Sequence, residues 1–198
     1  MKYLAKLIIL LLLQIPAGAQ AGEDGLTAWR VFSRSSDAKI LMTWMQCNLK
    51  ADLNKTRCAR SLNVPLPPFY GQLGVFVTLV KNGKVRGCFG AFDHVSDQKE
   101  DILKDYLRGA LKRDSRYKSL LAGEADDVNI IITIAGSRLP VDNLDNIDVM
   151  NYGVLATFDN GQQDVIVPSE IKNIDALKRR LKDREINQIE AFRSVTIK

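Results

Sequence analysis

Two Asn-Gly turns constrain this chain more than any other feature. Lys81-Asn82-Gly83-Lys84 joins the β-branched and aromatic run Gly74-Val75-Phe76-Val77-Thr78-Leu79-Val80 to a returning arm, Val85 to Phe92. Asp159-Asn160-Gly161 stands in the same way between Gly153-Val154-Leu155-Ala156-Thr157-Phe158 and Asp164-Val165-Ile166-Val167. Asn-Gly supplies the positive-φ positions of a tight turn whose twist matches that of two paired strands, so each segment predicts a hairpin. Between them, Ile102, Leu103, Tyr106, Leu107, Ala110 and Leu111 fall on one face of a helix over 97–112. Val128 to Ile134 has almost no polar alternation, which predicts a central strand buried on both faces. Upstream, Leu26 to Leu49 reads as helix, breakable in two at Ser35-Ser36-Asp37, and Pro65-Leu66-Pro67-Pro68 as a surface connection. Downstream, Ile171, Ile174, Leu177 and Leu181 keep helical spacing, and Phe192 to Ile197 can close as a last strand. Hairpins separated by a helix and a lone strand argue for an α+β fold, a largely antiparallel sheet flanked by helices.

The first residues point elsewhere. Lys2 and Lys6 flank a start followed by an apolar run from Leu7 to Leu13, then Pro16 and the small residues Ala17, Gly18, Ala19 and Ala21. That order is a secretory signal peptide, expected over residues 1–21, with a mature start near Gln20 or Gly22 and one domain over 22–198. The apolar run is seven residues against the ~20 that span a bilayer, so no membrane span is expected in the mature protein. The expected location is periplasmic or secreted. Removing Lys2 and Lys6 leaves 26 basic residues against 23 acidic ones, interspersed along the chain, which disfavours a nucleic-acid partner.

Export gives the three cysteines a meaning. In an oxidising compartment Cys47 and Cys58 can pair as a staple across a short polar connection, with Cys88 the free thiol. Spacing leaves that pairing open, because it does not show whether the Cα atoms come within ~6 Å.

Cys88 lies in Val85-Arg86-Gly87-Cys88-Phe89-Gly90, directly after the first turn. On an extended strand Arg86 and Cys88 share a face, and a guanidinium beside a thiol favours the nucleophilic thiolate. Gly87 and Gly90 clear room for a ligand or for another backbone. The same residues fit a buried structural cysteine between glycines that accommodate helix packing or a bulge, and both readings stay open. His94, the single histidine, is the only candidate base of its type, but an extended arm carries it ~20 Å from Cys88, and an exposed turn residue is the default. No Cys/His cluster has metal-ligand spacing, and no phosphate-cradling loop, serine elbow or dinucleotide fingerprint occurs, so no cofactor is indicated.

The hexapeptide resembles the signature of the AMMECR domain family (Alport syndrome, mental retardation, midface hypoplasia and elliptocytosis chromosomal region gene 1), usually Leu-Arg-Gly-Cys-Ile-Gly. Gly74 to Leu79 is similar to the strand before that signature. Lys112-Arg113-Asp114-Ser115-Arg116-Tyr117 is similar to the family's Arg-Asp-Pro-Arg-Phe segment, and Leu139-Pro140-Val141, Gly153-Val154 and Val165-Ile166-Val167-Pro168 to later landmarks. Phe89, Ser115 and Tyr152 depart from the usual isoleucine, proline and histidine, and the region after Pro168 is shorter. The resemblance implies a two-lobed α+β domain with the signature cysteine near a cleft. It also implies association with Memo-like and radical SAM proteins, but no settled reaction. Arg86, Cys88, Asp114 and Arg116, with Gly87 and Gly90, are the expected lining of a cleft for a small or peptidic anionic ligand, with Cys88 and Arg86 the candidates for thiol chemistry. The alternative is a non-catalytic binding or accessory role.

Overall fold

The computed structural model describes residues 17–69, 73–94 and 96–198, and side chains from residue 25 onward. The apolar core of the expected signal peptide lies outside the described residues. Helix α1 (Ala17–Phe32) crosses the expected cleavage point, and its buried anchors, Leu26, Trp29 and Phe32, all lie beyond it. Helix α2 (Ser36–Asn54) follows after a break at the Ser35-Ser36-Asp37 interruption.

The first hairpin is β1 (Gly74–Lys81) and β2 (Lys84–Ala91), with φ of 50° at Asn82 and 71° at Gly83. These left-handed values are what the two-residue turn requires. Helix α3 (Lys99–Lys112) buries the six apolar residues expected of it. Strand β3 (Val128–Pro140) is longer than its apolar run. The second hairpin is β4 (Tyr152–Phe158) and β5 (Gln163–Ile166), then come a short 3-10 helix (Pro168–Glu170), α4 (Ile174–Leu181) and β6 (Ile186–Ile197). All strands join one sheet in the order β2-β1-β3-β6-β4-β5, with every pairing antiparallel. The α+β fold is therefore as expected, and β3 is interior, paired to β1 and β6; it is not buried on both faces throughout, since Asn129 is exposed and Ile131 half-buried on the side away from the helices.

The core has separate parts. In the larger, α1, α2 and α3 cover one face of the sheet through Val75, Val77, Leu79, Ile130, Ile132 and Ile134. In the smaller, Val154, Ala156, Phe158 and Ile166 meet Ile171, Leu177 and Leu181 from α4 and its approach. A third cluster, Phe76, Cys88, Ala135, Val167 and Phe192, occupies the sheet face opposite α1–α3. Strand alternation assigns these sides: Phe76 and Thr78 point away from the helices that receive Val75, Val77 and Leu79.

Candidate functional site

Cys88 stands opposite Thr78 in the β1–β2 ladder and is only 8% exposed. The Thr78 hydroxyl donates to Cys88 Sγ at 3.3 Å and also meets Ser169 Oγ at 3.0 Å. Thr78 has a single hydroxyl proton, so while it goes to the sulfur Ser169 must be the donor in the second contact. Burial pushes the Cys88 thiol far up, and the negative charge of Glu170 pushes it further. The Thr78 hydrogen bond and the Arg116 charge act the other way without offsetting burial. Burial and the Glu170 charge thus disfavour the thiolate in this closed site.

The edge strand β2 turns its Cys88 N–H outward, and Asp114 Oδ2 accepts it at 2.8 Å. Asp114 lies just past the end of α3, and Arg116 grips it twice, Nε to Oδ1 at 2.8 Å and Nη2 to Oδ2 at 2.9 Å. Burial works to raise the Asp114 carboxyl, but the Arg116 hydrogen bonds and the Cys88 amide outweigh it and hold the group below its ordinary value. Arg116 Nη1 continues to Glu170 Oε1 at 3.0 Å, and Arg180 Nη1 reaches the same oxygen at 3.4 Å. Arg180 and Arg184 then share Asp164 on β5. Three carboxylates and three guanidiniums thus alternate from β2 in the larger part of the molecule to β5 in the smaller. Glu170 Oε2 is buried without a hydrogen-bond donor among the described residues.

The structure brings Cys88, Asp114 and Arg116 together and sends Arg86 elsewhere. In the ladder Leu79 faces Gly87 while Val80 faces Val85, so Arg86 is the extra residue of a β-bulge. A bulge breaks the two-residue alternation on which the shared face rested. Arg86 Nη1 instead binds Glu124 Oε1 at 2.9 Å, the oxygen that Lys81 Nζ reaches at 3.0 Å. Lys81 alternates with Leu79 and belongs to the helix side of the sheet. The expected support of a Cys88 thiolate by Arg86 is therefore absent.

The glycines are also spoken for. A Cβ on Gly87 would lie 2.0 Å from the Ala110 carbonyl oxygen of α3, so it is this helix, not a ligand, that approaches. A Cβ on Gly90 would lie 2.1 Å from Val75 O, so that space belongs to the neighbouring strand. Phe89, the departure from isoleucine, packs its ring on Gly109 and under the Arg113 guanidinium at 4.1 Å. His94 is not an exposed turn residue: Nε2 donates to Leu73 O at 2.9 Å, and Nδ1 lies 2.8 Å from the Tyr106 hydroxyl. Among the described residues no three His, Cys, Asp or Glu side chains are placed to hold a metal ion, and no helix is long and apolar enough to cross a membrane.

Cys47 and Cys58 form a disulfide, with Cα atoms 5.5 Å apart. Thr78, Ser169, Glu170 and Arg180 escaped the sequence reading. Ser169 and Glu170 sit beside Pro168, which marks a helix start but no chemistry. Glu124 lay within reach: it stands three residues after Leu121, whose N–H its Oε2 accepts, the spacing of a helix-start carboxylate.

A family profile described as AMMECR1 matches residues 43–191, which include every residue of this network. A Thermotoga maritima protein is 26% identical over 121 residues, 61% of this chain and 68% of that one. A Methanococcoides burtonii protein is 32% identical over 103 residues, and the match spans 49% of this chain and 51% of that relative. A Methanosarcina barkeri protein, 29% identical, is likewise matched over only 50% of its length. The crystal structure of an uncharacterized protein from Pyrococcus horikoshii superposes with a TM-score of 0.62 at 13% identity, covering 82% of this chain and 91% of that one, which is a likeness of fold.

Proposed function

The chain belongs to the AMMECR1 family, and from that premise we propose that it is a non-catalytic binding or accessory domain acting outside the cytoplasm. The observation that carries this reading is the closed Cys88 site: a thiol only 8% exposed, with Thr78, Ser169 and Asp114 already bonded around it. Nucleophilic catalysis by cysteine needs a thiolate or a base in hydrogen-bond reach. Thr78 is neither, and the histidine is committed to Leu73 and Tyr106. An anionic ligand at this crevice loses its support as well, since Arg86 is matched by Glu124 and Arg116 by Asp114 and Glu170. The partner class we propose is the Memo-like or radical SAM protein that the family resemblance implies.

Alkylation tests the reading. With the disulfide intact, Cys88 is expected to react with iodoacetamide at neutral pH orders of magnitude more slowly in the native chain than in urea, and Cys88→Ala to keep any binding activity. A native rate equal to or above the unfolded one would overturn it. The disulfide supports export, because cytosolic thiols are kept reduced. Expressed with its leader in a cell that has a secretory pathway, the chain is expected outside the cytoplasm with an N-terminus near Gln20 or Gly22; recovery of the intact chain in the cytoplasm would remove that part.

A further inference from the structure

The disulfide that ties down the chain after α2 also shapes a surface far from any role of Cys88. Cys47 and Cys58 line a groove of about 620 Å³ together with Met42, Lys50, Arg57 and Arg60. A second groove of about 450 Å³ adjoins it, sharing Thr43 and Arg60 and adding Lys39, Ile40 and Trp44. Neither lining contains an aspartate or glutamate. Lys50 pairs with the exposed Asp126, whereas Lys39, Arg57 and Arg60 have no acidic partner among the described residues. This differs from the Cys88 network, where each guanidinium meets a carboxylate. Arg60, which borders both grooves, is held at its backbone: its N–H donates to Cys58 Sγ at 3.4 Å. The floor is apolar, with Met42 partly buried and Ile40 47% exposed beside Trp44.

We propose that the joined grooves dock an acidic peptide segment of a partner protein, its carboxylates on Lys39, Arg57 and Arg60 and an apolar side chain on Ile40 and Met42. Charge complementarity selects an anion, since unpaired cations without interspersed acids leave a positive potential over the grooves. The floor selects a peptide: an anionic glycan would set hydroxyl groups against Ile40 and Met42, and a nucleic-acid strand would need an exposed aromatic face for its bases where Trp44, the aromatic of the lining, is only 3% exposed, whereas a peptide supplies carboxylates and hydrocarbon together. The inference extends the binding role proposed above and is tested apart from it, because the Cys88 alkylation rate decides that role and a peptide titration decides this one.

The experiment is fluorescence anisotropy of a fluorescein-labelled peptide of alternating Glu and Leu, titrated with the disulfide-intact chain. Saturable binding is expected, weakening roughly tenfold between about 50 mM and about 500 mM salt. Arg57→Ser with Arg60→Ser is expected to weaken it roughly tenfold, and Ile40→Ser several-fold, while Arg179→Ser on α4 leaves it unchanged. All four residues are exposed, and thermal unfolding verifies that the variants remain folded. Equal affinity of the double variant, equal affinity for a control peptide of alternating Gln and Leu, or tighter binding of single-stranded DNA or heparin than of the Glu-Leu peptide would overturn the proposal.

Discussion

Two carboxylates grip β2 from different sides, and their environments are opposite. Glu124, on the helix side, takes Arg86, Lys81 and the Leu121 amide, yet its side chain is 20% exposed and water reaches it. Asp114, at the strand edge, takes the Cys88 amide and Arg116, and its side chain is 4% exposed. The Leu121 amide first, then Arg86 and Lys81, hold Glu124 down at about 2. Asp114 is also depressed, but there hydrogen bonds must first overcome burial. A low carboxylate pKa thus does not measure what the group does for the fold. Solvent can replace the partners of Glu124; nothing in the structure replaces Asp114.

The largest expected effect follows from that asymmetry. Asp114→Ala strands the Cys88 N–H and releases Arg116 toward Glu170, and urea unfolding should show a loss of about 3 kcal/mol. A loss under about 1 kcal/mol would place Asp114 in the same class as a surface ion pair and end the contrast. Next comes Gly87→Ala, whose methyl meets the Ala110 carbonyl and should cost about 2 kcal/mol by overpacking. A neutral Gly87→Ala would mean that α3 does not close on β2 and that room for a ligand exists there.

Glu124→Gln should give a smaller loss, and its pH dependence sharpens the comparison. Between the ordinary value of 4.5 and the folded value of about 2, the unfolded chain binds the proton that the folded chain does not. The stabilisation is therefore complete above pH 4.5 and lost as pH falls toward 2. Urea midpoints of wild type and Glu124→Gln should differ fully above that window and converge near its lower end; a gap independent of pH would assign the effect to packing. Arg86→Ala should be the mildest change, because Lys81 and the Leu121 amide remain on Glu124. If it matched Asp114→Ala in urea, Arg86 would have a second role that its contact with Glu124 does not explain.

Both hairpins, the α3 stripe, the break before α2 and the interior position of β3 were legible because they rest on local chemistry: Asn-Gly turns, helical spacing, and an apolar run with almost no polar alternation. The Cys47–Cys58 pair was a feasible reading that needed the folded distance between the two to become one answer. The face of Arg86 was not legible. One unpaired residue in the β1–β2 ladder reverses the alternation; Gly87 allowed a bulge, but a strand glycine fits close packing equally well and does not say which residue is the extra one.

By itself the sequence determined most of the secondary elements, the first half of β6 from Ile186 to Ala191 excepted, together with the fold class and the identity of the signature cysteine, since each is written in neighbouring residues. Tertiary structure alone decided what that cysteine is. Its companions Thr78, Asp114, Ser169 and Glu170 come from four separate stretches of chain, and the ionisation of a thiol depends on the water and charge left around it after those stretches meet. The same holds for the groove beside the disulfide, where charge that looks evenly scattered along the chain leaves three cations without acidic partners among the described residues on one surface.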